Sequence, residues 1–262
     1  MWELCRVAYE RRELIWLLAL KELKVRYNRS ALGFLWALLN PLLMALVLTL
    51  VFSSLLRVNI ERYPIFLLST LFPWTFFSQS LNYATQSIVT NGSLLKKVYV
   101  PPVVFPLAAV LANLVNFLLT LVPLALLLVV FDFPFHGTWL FLPVPILMLV
   151  LFTTGVGLAF ATANVFLRDV GQVLQIILSV WFYFSPIIYD LGAIHPRFQW
   201  FFELNPMHPI LRSFRLAIYG EVTRGLLPSG NLILLGAAGA LLALLAGHAL
   251  FRRYQDSFAL YV

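Results

Sequence analysis

Thr75, Gln79, Asn82, Gln86 and Thr90 step by 4, 3, 4 and 4 residues, so on a helix they form one polar stripe. Gln172, Gln175, Ser179 and Tyr183 repeat the spacing in a later segment, and Asn113, Asn116 and Thr120 repeat it between the two. These side chains donate and accept hydrogen bonds without carrying charge. They admit two readings: hydrogen bonds between packed helices, or the wall of a route for a hydrated, hydroxyl-bearing molecule. An amide facing lipid is costly, so in either case the stripes face protein or water. One stripe is well explained by helix pairing, whereas three point towards a polar pathway.

Two aromatic clusters, "FPWTFF" (72–77) and "WFYF" (181–184), lie in the same two outer stripe-bearing segments. Counted inward from the segment ends at about 1.5 Å per residue, they sit roughly 9–20 Å deep, deeper than an interfacial belt alone requires. Such rings pack as core, or they offer faces on which the C–H side of a sugar stacks. Spacing alone does not separate the two.

The missing chemistry narrows the choice. There is no G-x-x-x-x-G-K-[ST] loop, no H-E-x-x-H, no G-x-S-x-G and no metal-spaced Cys/His set. Ion-coupled transporters keep ionisable groups inside the membrane. The long apolar segments here contain no Asp, Glu, Lys or Arg, and His248 is their one side chain of ordinary titration range. A pathway without an internal energy source needs an external one, or it is a passive channel. The stretch "NGSLLKKVYVPP" (91–102) is placed to receive force from a soluble motor. Leu94, Leu95 and Val98 share a helical face, Lys96 and Lys97 supply charge, and Pro101-Pro102 stop the helix and open the next segment. The plain alternative is a basic loop that only fixes topology.

The elements that carry these residues follow from composition. Of 262 residues 61% are hydrophobic and 11% charged, against about 25% charged in a soluble domain. The expected fold is an all-α polytopic membrane protein with six transmembrane helices, at 31–56, 64–90, 103–131, 139–166, 170–189 and 231–251. Twelve of the eighteen Lys and Arg fall in 1–30, 91–102, 167–169 and 252–262, and six in 57–63 and 190–230. That bias puts both termini in the cytoplasm and accounts for the net charge of +7 without a nucleic-acid partner. The single cysteine, Cys5, excludes an internal disulfide, and the N-terminus lacks the small-residue cleavage site of a removed signal peptide.

Residues 1–30 form a cytoplasmic interfacial helix and turn ahead of the six-span region 31–262. In that helix Leu14, Leu17, Leu18 and Val25 are expected on one apolar face, with Lys21, Glu22 and Lys24 beyond it. Between spans five and six, 190–230 is long yet apolar. Asn205-Pro206 and His208-Pro209 mark turns and helix starts. Two short outer re-entrant helices are expected there, with Leu211, Phe214 and Ile218 on a buried face and Arg212 and Arg215 off it. A folded cap with no moving part is the bland alternative. Gly239, Ala243 and Gly247 at four-residue spacing predict close helix packing.

Six stretches in order carry a family resemblance: "KELKVRYNRSALGFLWALLNPLL" (21–43), "LFPWTFFSQSL" (71–81), "NGSLLKKVYVPPVVFPL" (91–107), "NVFLRDVGQVL" (164–174), "FYFSPIIYD" (182–190) and "LNPMHPILRSFR" (204–215). The chain resembles the membrane subunit of ABC-2 type exporters, in the branch that moves polysaccharides and polyol phosphates such as O-antigen, capsule and teichoic acid. The resemblance implies a homodimer in the bacterial cytoplasmic (inner) membrane and a lipid-linked glycan as substrate. It also implies two ATP-binding cassette subunits that hold ATP and Mg, with no cofactor in this chain and no catalytic residue.

The family pattern assigns ATPase coupling to Lys21, Glu22 and the 94–98 helix. It assigns the substrate entrance to Arg26, Tyr27, Arg29 and Gly33, where the arginines can pair with a pyrophosphate. Channel lining falls to Phe72, Trp74, Phe76, Phe77, Gln79, Asn82, Gln86, Gln175, Trp181, Tyr183 and Phe184. The outer gate falls to Asn205, Pro206, Arg212 and Arg215. The family match favours lining over packing for the aromatics. Competing readings are an ABC-2 exporter of small lipids or drugs, and a membrane enzyme of lipid-linked sugar metabolism. The second would use Asp190, His195, Glu203 and His208, which show no motif spacing.

Overall fold

The structure, a computed structural model, describes residues 2–27, 35–55, 60, 62–97, 100–130, 137–220 and 230–262. Arg29, Gly33 and Val98 lie outside the described residues, which are helical with no strand among them. In chain order the helices are α1 (Trp2–Glu10), α2 (Arg12–Tyr27), α3 (Leu35–Thr49), α4 (Tyr63–Thr90), α5 (Gly92–Lys97) and α6 (Val104–Val130). They continue as α7 (Pro143–Phe166), α8 (Val170–Tyr183), α9 (Pro196–Glu203), α10 (His208–Ile218), α11 (Gly230–Tyr254) and α12 (Phe258–Tyr261). Three stretches, Val104–Val129, Gly137–Phe166 and Gly230–Tyr261, are long and apolar enough to cross a membrane, and Leu42–Phe52 and Val170–Tyr183 are shorter apolar helices.

The α4 helix has 28 residues, roughly 42 Å at about 1.5 Å per residue. Its length comes with polarity, and neighbouring helices supply what lipid would not: most of its side chains are buried inside the chain. Prolines suit the helix starts, where an amide hydrogen has no partner anyway: α4 and α7 both carry proline at a first-turn position.

The tightest helix pair is α7 with α11. Gly155 and Gly247 meet backbone to backbone at the crossing. A Cβ on Gly155 would run into the Ala243 main chain, and one on Gly247 into the Gly155 carbonyl. Small residues are needed here because the backbones approach closely. Gly239, by contrast, lies beside Pro206 rather than on α7.

Three expectations are corrected by the packing. The apolar face of α2 is Ile15, Leu18 and Ala19, buried against Val104, Phe105 and Ala108 around α6. Leu17 and Val25 are exposed. The buried positions 15, 18 and 19 and the half-buried 22 and 26 keep the 3.6 period, so Glu22 and Arg26 ride on the packed face.

The second correction concerns the fifth span. It stops at Tyr183 rather than 189, because Pro186 disfavours helix at the residue before it and cannot donate. The third is Arg215, which is half-buried and turned towards Thr70, the Ile187 carbonyl and the Phe66 ring instead of standing off the packed face.

The two ends of α4 define the two ends of the molecule. At its N-terminal end, Tyr63 OH donates to the Ile188 carbonyl at 2.7 Å, and Arg215 reaches Thr70 Oγ1 at 3.1 Å. At its C-terminal end, α5 follows after Asn91, and Lys21 Nζ donates to Asn91 Oδ1 at 3.5 Å. The chain's last residues join this end, with Val262 packed over Gly92. So α2, α5 and α12 gather at one end, and the 187–219 segment gathers at the other.

Candidate functional site

The stripes of α4 and α8 face each other. Thr75, Ser78 and Asn82 of α4 and Gln175, Ser179 and Tyr183 of α8 line one open groove of about 460 Å³, with Met44 of α3 at its rim. Asn82 Nδ2 donates to the Ser78 carbonyl at 2.9 Å, while its Oδ1 has no partner among the described residues. Gln79, Gln86, Gln175 and Tyr183 are exposed. Ser78, three residues after Thr75 and four before Asn82, shares their helical face as well as Gln79 does, and it is Ser78 that lines the groove. Its signal was available as a small hydroxyl beside Gln79.

The third stripe does not join this groove. Asn113, Asn116 and Thr120 are buried. Asn113 Nδ2 donates to the Ala109 carbonyl at 2.8 Å, and its Oδ1 accepts from Arg26 at 2.9 Å. This stripe serves packing, and its deepest member holds α2 against α6.

The aromatic positions separate. Phe72, Trp74, Phe76 and Phe77 are buried in the chain's own core. Phe77 stacks on Phe152 with ring centres 5.6 Å apart and meets Trp181 edge-on at 5.2 Å. Phe76 sits 5.5 Å from Phe117. Trp74 contacts Trp181 and Phe182 edge-on, and part of it still reaches the groove. Tyr183 and Phe184 remain exposed. Rings as enclosed as Phe76 and Phe77 lie behind the groove, and its surface is mixed: hydroxyls, amides and Tyr183 alternate with Leu71, Trp74, Leu178 and Phe182.

The chain beyond α8 is irregular, and side chains satisfy its carbonyls in turn. Asn205 Nδ2 donates to the Phe184 carbonyl and to Ser185 Oγ, both at 3.0 Å. Ile187 O accepts from Arg215 at 2.9 Å, and Tyr189 OH reaches back to the Tyr183 carbonyl at 2.6 Å. Asn205 Oδ1 accepts from Trp181 Nε1 at 2.8 Å and from the Met207 amide at 3.0 Å, which opens α10. Arg215 also lies 3.8 Å over the Phe66 ring. Of the four outer-gate residues, Asn205 and Arg215 are thus structural pins, whereas Pro206 and Arg212 are exposed. The sequence marks Asn205 as a turn former, and the resemblance places it in the outer gate; neither shows its four bonds.

At the opposite end, Arg26 lies 3.8 Å over the Tyr83 ring. Its Nε and Nη2 have no partner among the described residues, and neither has Glu22 Oε2. Burial pushes the Glu22 carboxyl up to about 7, against the pull of Arg26 and Lys21. Tyr27 closes α2 next to Arg26. In α5, Leu94 and Leu95 pack inward on α2 and α6, and Lys96 and Lys97 point out.

Residues 13–219 match the family model described as ABC-2 type transporter. The chain belongs to the ABC-2 type transporter family. Among similar proteins, an O-antigen export system permease protein RfbA of Myxococcus xanthus is 34% identical over 266 residues, 99% of each chain. One from Klebsiella pneumoniae is 32% identical over 240 residues, 91% of each chain. The polysialic acid transport protein KpsM of Escherichia coli is 27% identical over 245 residues, 92% of this chain and 93% of that one. In ABC-2 terms, this chain is a membrane transport protein whose candidate route is the α4–α8 groove.

Proposed function

We propose that this ABC-2 chain is the permease subunit of an ATP-driven exporter that moves a lipid-linked polysaccharide across the bacterial cytoplasmic membrane. One observation carries the reading: Thr75 and Asn82 of the α4 stripe and Gln175, Ser179 and Tyr183 of the α8 stripe line the same open groove, while Gln79 and Gln86 lie outside its lining. A groove that sets hydroxyls and amides among apolar and aromatic side chains suits a polymer with both hydroxyls and C–H faces. Its exposed amides would be costly in lipid, which supports a second copy of the chain closing the groove in a homodimer. The exposed apolar face of α8, with Val173, Ile176 and Val180, would pack there or meet lipid. The O-antigen export permeases and the polysialic acid transport protein among its relatives support the substrate class.

The six-span topology with both termini cytoplasmic is proposed on the Lys and Arg bias and on the gathering of α2, α5 and α12 at one end. There, Lys21 of α2 and Lys96 and Lys97 of α5 form the face offered to two ATPase subunits that bind ATP and Mg, with Glu22 behind it on the packed side of α2. Arg26 lies behind this face, its Nε and Nη2 enclosed and without a partner among the described residues; in this reading they would pair with a pyrophosphate only where the entrance opens to them. In this reading α9 and α10 form the outer gate.

The test is reconstitution of the chain with its ATPase in vesicles loaded with a lipid-linked O-polysaccharide. ATP-dependent appearance of the glycan on the opposite face is expected. Equal translocation without ATP, or none with both subunits present and ATP being hydrolysed, would sink the proposal.

A further inference from the structure

A second cleft, of about 510 Å³, opens at the end of the molecule away from α5, between α9, α10 and the turn after α8. That volume is within the roughly 300–1,000 Å³ of small-molecule sites. Its polar lining is Asp190, Gln199, Glu203, His208, Arg212 and Arg215. Two carboxylates and two guanidinium groups balance, and His208 is neutral because burial, helped by Arg212 and Arg215, pushes it down to about 4. Phe66, Leu216 and Tyr219 give the same cleft an apolar wall.

Arg215 is fixed by Thr70 and the Ile187 carbonyl, yet its Nε has no partner among the described residues. Glu203 and Arg212 make no ion pair with each other at this spacing, although both line the cleft. Fixed donors and acceptors of balanced charge disfavour an anion. They match a neutral ligand whose every hydroxyl both donates and accepts.

We infer that this cleft binds a neutral sugar of one or two hexose units, with Glu203 and Asp190 accepting from its hydroxyls, Arg212 donating to them, and Leu216 beside its C–H face. The site is separate from the α4–α8 groove, since the two share no lining residue. It would hold saccharide beside the mouth of the route rather than within it. The binding claim does not depend on the export reading, because it is read on the chain without ATP or ATPase.

The experiment is saturation-transfer NMR on the purified full chain in lipid nanodiscs. The probes are maltose, lactose and mannobiose, with inorganic phosphate as the anionic competitor. At least one disaccharide gives transfer. Glu203→Gln and Arg212→Gln, both at exposed positions, each weaken its binding about tenfold, the loss of one charge-assisted hydrogen bond. Arg168→Gln, on the turn before α8, leaves binding unchanged and controls for the preparation. Melting curves of the two cleft variants check that they fold. The inference is overturned if no disaccharide binds, if both variants bind as the parent does, or if phosphate displaces the sugar.

Discussion

Asn205 and Trp181 are joined by a 2.8 Å bond from the indole N–H to the amide oxygen. Through it the end of α8 is tied to the turn that opens α10. Asn205 uses its full capacity here, accepting from Trp181 and the Met207 amide and donating to the Phe184 carbonyl and Ser185. Asn205→Asp keeps both acceptor bonds, loses both donors and sets a carboxylate against a carbonyl. A loss of about 2–4 kcal/mol is expected, since buried polar groups are left unpaired. It is read as a lower melting temperature of the detergent-solubilised chain. A melting point equal to the parent's would show that the four bonds do not act together.

Charge reversal in α5 separates grip from fold. Lys96 and Lys97 are exposed, while Leu94 and Leu95 pack on α2 and α6. Lys96→Glu with Lys97→Glu should leave the melting temperature in place and weaken ATPase binding roughly tenfold, through two lost surface attractions and the repulsion replacing them. Leu95→Ala should lower the melting temperature instead. Co-purification and thermal melts of both variants decide this. Normal ATPase capture by the double glutamate variant would move the docking face away from the lysines.

Glu22 gives a pH signature. Its carboxyl is raised to about 7 by burial, from an ordinary value of 4.5. Between those values the folded chain binds more protons than the unfolded one. The stability this contributes is full below 4.5 and is lost as pH rises through about 7. The facing groups are Arg26, Lys21 and, through Arg26, Asn113 and Tyr83. Buried His208, held down to about 4, acts in the opposite sense as pH rises through 6.5, so the Glu22 contribution is read as a difference: relative to Glu22→Gln, the parent chain without its ATPase should lose melting temperature between pH 5.5 and pH 8. An unchanged slope in the glutamine variant would place the titration elsewhere.

The helical, membrane character of the fold was legible because composition and period act locally. The chain's apolar runs appear as helices within a few residues of their expected ends, and Gly247 and Ala243 predicted a close crossing. Its partner, Gly155, was not legible, since nothing in the spacing of α11 says which helix lies across it. The stripes of α4 and α8 were legible as stripes, but only packing shows that they meet while that of α6 turns to Arg26. The roles of Asn205 and Arg215 depend on carbonyls freed by a bend at Pro186, and on where that bend lies in three dimensions. Each residue had several local uses open to it, and tertiary position selected one.

The groove itself can be divided into wall and brace. Phe77 is fully buried between Phe152 and Trp181, so Phe77→Ala should cost about 3–5 kcal/mol through the cavity it leaves. Export should then fall only in proportion to the folded chain recovered. Gln175 and Ser179 stand on the open side of the same groove. Gln175→Leu with Ser179→Val removes their polarity at similar size and should leave the melting temperature unchanged or slightly higher. Export per folded molecule should drop several-fold, because a hydroxylated polymer crossing that surface would lose hydrogen-bond partners it cannot replace. Measuring both quantities on both variants separates the roles. If the leucine–valine variant exports at the parental rate per molecule, the α4–α8 groove is a packing seam and the route runs elsewhere.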